Sequence, residues 1–141
     1  MSAATEIVSR VEQAFNAGDV GAFAQCFAED AVQVHPFFPE PHRGRVAIQD
    51  GEAAMFAGFD QIRLEATSVT EHGDRAAIEW RVQARHSSPI AMPDGSTLAA
   101  TGSVVDLTMA SFVRLDETGL IAEEHRYQDN LAFLRQLGVI G

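Results

Sequence analysis

The chain has 141 residues, 46% of them hydrophobic and 21% charged, which suits one globular domain, residues 1–141, with a substantial core. A formal net charge of −10 repels polyanions, so neither nucleic acid nor an anionic membrane surface is an expected partner. The single cysteine, Cys26, excludes an internal disulfide, and no apolar run approaches membrane-spanning length.

Residues Thr5 to Asn16 read as a helix, because Ile7, Val8, Val11, Ala14 and Phe15 recur at helical spacing. The sequence NAGD ends it, and Asp19 reads as the N-cap of a second helix presenting Val20, Phe23, Ala24 and Phe27 on one side. Cys26, next to these phenylalanines, reads as a small core residue. The run AVQVHP is then extended, since a residue before proline is pushed away from helical geometry. Residues 36–44, PFFPEPHRG, form a loop whose Phe37 and Phe38 are expected to cover a core or a pocket mouth. Arg45 to about Phe56 reads as a third helix weakened by Gly51.

From about Gln61 the period changes. QIRLEATSVTE and AAIEWRVQARH alternate around a turn at EHGDR, which predicts a hairpin. SSPIAMPDGST is a loop, and LAATGSVVDLTMASFVRLD is a long strand or a strand with a break. A last strand follows the turn at DETG. Its alternation puts Glu123, His125, Tyr127 and Asp129 on one face and Glu124, Arg126 and Gln128 on the other. A closing helix shows Leu131, Leu134 and Leu137, stopped by Gly138. Three helices before a four-stranded meander mean α+β, with a curved antiparallel sheet and helices packed across it around an apolar pocket. The first residues do not read as a secretory leader, and the expected location is cytoplasmic.

The runs FNAGDVGAFAQCFAEDAVQVHP, HRGRVAI and GLIAEEHRYQDNLAFLRQLG, in that order and spacing, resemble the nuclear transport factor 2-like superfamily in its SnoaL-like polyketide cyclase branch. The resemblance covers nearly the whole chain. It implies a cone-shaped α+β fold, a deep apolar pocket and a homodimer formed through the outer sheet face. It also implies a cofactor-free aldol cyclisation or isomerisation of an apolar, carbonyl-bearing small molecule. The acid/base aspartate of that branch matches Asp129, and a desolvated carboxylate suits the work because burial raises its basicity. Limonene-type epoxide hydrolases of the same superfamily keep an end aspartate that also matches Asp129, but their Arg-x-Asp pair on a mid-sheet strand is missing here, although Glu79 and Arg81 share a strand face. Ketosteroid isomerases place an aspartate where His35 stands before Pro36.

The candidate catalytic residues are therefore Asp129, His125 and Tyr127, the last a phenol able to donate to a developing oxyanion. Asp129 is equally placed to cap the closing helix. His35, Phe15, Phe37, Phe38 and Trp80 are candidate pocket-wall residues, and Arg81 either joins them or lies on a solvated face with Glu79, Gln83 and Arg85. The five histidines show no metal-ligand spacing, so no metal is expected. A non-catalytic ligand-binding or dimerisation module is the reading from another class.

Overall fold

The structure, a computed structural model, describes residues 2–141. Helix α1 (Ala3–Asn16) starts at Ser2, whose hydroxyl accepts from the Thr5 N–H, and buries Ile7, Val8, Val11, Ala14 and Phe15. Asp19 caps the short α2 (Val20–Ala24) by accepting from the Ala22 N–H. Phe27 does not continue that helix. It opens strand β1 (Phe27–Val34), longer than the extended run expected here, and β2 (His42–Arg43) pairs back onto β1.

Helix α3 (Arg45–Phe56) contains Gly51 for a steric reason. A Cβ at that position would overlap the His42 imidazole, so the helix accepts a poor helix former to let the ring lie against its backbone. Strands β3 (Phe59–His72), β4 (Arg75–His86), β7 (Val104–Leu115) and β8 (Ile121–Gln128) form the expected antiparallel meander. A small separate hairpin, β5 (Ile90–Ala91) with β6 (Thr97–Leu98), sits between β4 and β7. The main sheet has the order β2-β1-β8-β7-β4-β3 and is mixed, because β1 runs parallel to β8 while the other pairs are antiparallel. Periodicity could not reveal that pairing, since the partners lie about ninety positions apart in the chain.

The sheet curls. Register shifts interrupt β3 between Asp60 and Arg63 and between Ala66 and Ser68, and Gln61 adopts a positive φ of 53° at the first. As the edge strand, β3 has backbone groups without a strand partner. Helix α1 meets some of them: Asn16 Oδ1 accepts from Leu64 N–H, Asn16 Nδ2 donates to Leu64 O, and Glu12 accepts from Ala66 N–H.

Two apolar clusters fill the concave side. One joins α1 and α2 to Ile48, Trp80, Val113 and Ile121. The other lies under helix α4 (Asn130–Gln136), where Phe37, Ile90, Val105, Leu107, Phe133 and Leu137 pack together. Phe133 within α4 and Leu137 at its C-cap are buried, while Leu131 is exposed. Among the described residues, no helix is long and apolar enough to cross a membrane.

Candidate active site

Between the clusters opens a cleft of about 550 Å³, counting its mouth to solvent. Its walls are apolar, including Phe15, Phe56, Phe59, Met109 and Phe133, and only His35, Glu52, Arg126 and Gln128 bring polar side chains to it.

Each polar group has a local reason to be there. Glu52 follows Ile48 by one helical turn on the inward stripe of α3, and both are essentially fully buried. Arg126 projects inward from β8, flanked on the same face by Glu124 and Gln128. His35 directly follows β1, and its Nδ1 accepts the Phe37 N–H at 3.1 Å. Neutral His35 therefore carries its proton on Nε2, which lies 3.9 Å from Glu52 Oε2, too far for a hydrogen bond; charge attraction across that gap requires the protonated imidazole.

Arg126 Nη2 donates to Glu52 Oε1 at 3.0 Å and approaches Glu124 Oε1 at 3.4 Å. Neither Nε nor Nη1 has a hydrogen-bond partner among the described residues, and the guanidinium lines the cleft. Behind it, Glu124 also accepts from Gln33 Nε2 at 2.9 Å and from Ser111 Oγ at 2.8 Å, while the Trp80 indole donates to Ser111 and His42 Nδ1 meets Gln33 Oε1.

Burial works to raise the Glu52 pKa, but the Arg126 charge, helped by His35, overrides it and holds the carboxyl at about 2. Arg126 is desolvated, which disfavours its charge, yet Glu124 and Glu52 push its pKa up. Burial, with the neighbouring His35 and Arg126, lowers the His42 pKa against the pull of Glu52. The set can hold a polar oxygen against Arg126 and His35 and present a carboxylate beside it. No group of three or more His, Cys, Asp or Glu side chains suited to a metal occurs among the described residues.

The structure divides the residues expected to form the site. Phe15 and His35 line the cleft. Phe37 is buried against Phe133, with ring centroids 5.6 Å apart, and Phe38 packs on His35 and His42, so both support the cleft from behind. Trp80 lies deeper in the core.

The pocket-facing expectation for β8 needs correction, because the inward face is the one carrying Glu124, Arg126 and Gln128. His125 is half-exposed and pairs with Glu123 at 3.2 Å, while Tyr127 is 55% exposed and packs edge-on against Phe112. Asp129 is exposed and caps α4, accepting from the Ala132 N–H at 2.9 Å. Arg81 lies on the solvated face in a bidentate pair with Asp106, at 3.0 and 2.7 Å.

Sequence reasoning passed over Glu52, Arg126, Gln128 and the supporting Glu124. One signal was available: Glu52 is a carboxylate in the apolar stripe of a helix, between Ile48 and the Met55–Phe56 pair.

Comparison with known proteins agrees with this architecture. A family model described as the SnoaL-like domain matches residues 8–124. A search of curated proteins finds no match. Among solved structures, TsrD from Streptomyces laurentii superposes with a TM-score of 0.83 at 19% identity, covering 98% of this chain and 96% of that one. A protein described as a candidate polyketide cyclase from Pseudomonas putida gives 0.80 at 27% identity, over 96% and 98% of the two chains. A SnoaL-like protein from Jannaschia, also described as a candidate cyclase, gives 0.78 at 17% identity, over 100% and 97%.

Proposed function

Because the chain belongs to the SnoaL-like domain family, we propose that it is an enzyme of cyclase or isomerase type, moving a proton on an apolar carbonyl compound held in this cleft. The observation that carries the reading is the convergence of Glu52, His35 and Arg126 in an otherwise apolar cleft.

The substrate's carbonyl oxygen accepts from the free N–H groups of Arg126 and from His35 Nε2–H. Glu52 then takes a proton from the carbon beside that carbonyl, and the oxygen carries the negative charge that develops. A neutral imidazole donating beside a carboxylate base is an arrangement known to serve enolisation. A pKa of about 2 makes resting Glu52 a weak base, but the reaction corrects this. As the enolate forms, it draws on the same guanidinium that depresses Glu52. Burial, the largest influence and one that raises the pKa, is then less opposed.

The test is exchange of α-hydrogen for deuterium, followed by proton NMR on apolar enolisable ketones in D2O. Glu52→Gln removes the base while nearly keeping its shape, and exchange should fall by about a hundredfold or more. Asp129→Asn should exchange at the wild-type rate. Loss of exchange in Asp129→Asn with retention in Glu52→Gln would overturn this assignment.

A further inference from the structure

The polar part of the cleft holds more negative charge than positive. Glu52 and Glu124 share the single guanidinium of Arg126, the chain has no lysine, and the other titratable groups against the cluster are the His35 and His42 imidazoles. The bonding around Glu124 fixes its role. An indole N–H can only donate, so the Ser111 oxygen accepts from Trp80 and the Ser111 proton goes to Glu124 Oε2. The Gln33 amide oxygen faces His42, so its N–H group goes to Glu124 Oε1, the oxygen that Arg126 also approaches. Three donors converge on this carboxylate, which stands behind Arg126 and does not line the cleft.

We propose that Glu124 sets the charge selectivity of the cleft, so that the site takes a ligand ending in an uncharged carbonyl and rejects the carboxylate of the same skeleton. The inference rests on the placement of the ligand in this cleft and names what that ligand must be. An uncharged carbonyl accepts from the free N–H groups of Arg126 and leaves both existing ion pairs intact. A carboxylate in the same place sets three anions around one cation under apolar walls. There the mutual repulsion is poorly screened, and drawing Arg126 away strands a buried carboxylate. Discrimination thus comes from a residue that does not contact the ligand, by repulsion built in behind the contact.

Equilibrium dialysis at neutral pH with methyl naphthyl ketone and naphthoate, which share a ring system and differ in charge, tests this. The ketone should bind the wild-type protein about tenfold or more tighter than the acid. Glu124→Gln keeps the side-chain shape and removes one negative charge, and it should improve naphthoate binding about tenfold while changing ketone binding far less. Naphthoate binding the wild type as tightly as the ketone overturns the inference even where the variant folds poorly, and a folded Glu124→Gln that rejects naphthoate as the wild type does overturns the role given to Glu124. A ketone that binds selectively but exchanges no hydrogen supports the selectivity and removes the proton-transfer reading. Failure of both ligands to bind overturns both.

Discussion

Arg126 is the side chain on which the polar part of the cleft depends. Its guanidinium neutralises Glu52, which is 2% exposed, and braces Glu124, which is 5% exposed. Replacement by methionine leaves two buried carboxylates without their cation, and a loss of about 3 to 5 kcal/mol in unfolding free energy is expected from urea titration. A change below about 1 kcal/mol would mean that the carboxylates are neutral or hydrated rather than ion-paired. Asp129 sits at the other extreme. Its carboxylate meets the Ala132 N–H at the start of α4, so Asp129→Ala should cost about 1 kcal/mol of stability. Asp129 was conspicuous in the sequence because it ends a strand rich in titratable groups, and a cap and a base use the same residue type. Only the burial of its neighbours separates the two roles.

At the scale of elements, α3 and β2 are fitted together through Gly51 and His42. Alanine is the better helix former by about 1 kcal/mol, yet its methyl group meets an imidazole already held by Gln33 and packed on Phe38. Gly51→Ala should therefore lower stability by about 1 to 2 kcal/mol despite its helix propensity; a higher melting temperature would show that the ring moves aside freely. The helices and the meander were legible in the sequence because apolar period and turn residues are local signals. The facing of β8 was not. Charged side chains stand on both of its sides, and the rule that such residues point to water fails where Glu124 and Arg126 satisfy one another in the interior. The partnership of β1 with β8 was equally hidden, because it depends on two distant segments meeting and on neither one's period. His35 was readable as a wall residue from its place between an extended run and a proline loop, but Glu52 was masked by the helix that carries it.

For the whole molecule, the buried ion cluster ties stability to acidity. Glu52 titrates near 2 in the folded chain against an ordinary 4.5, so the unfolded chain binds more protons between those values. Its contribution is fully present above about pH 4.5 and disappears as pH falls through 2, amounting to about 3 kcal/mol at 1.36 kcal/mol per unit. Thermal melts from pH 6 down to pH 2 should show this loss, and Glu52→Gln should flatten the profile over the same interval. The parallel seam between β1 and β8 has a further consequence, in time rather than in energy. It joins residues 27–34 to residues 121–128, so a chain emerging from the ribosome can wind its early helices and pair β1 with the two-residue β2, but the other edge of β1 stays open until residues 121–128 have been made. Arg126 arrives with that last strand. The cleft is thus among the latest features to assemble, and folding should be slow for a chain of this size, because the parallel pairing closes a loop of about ninety residues.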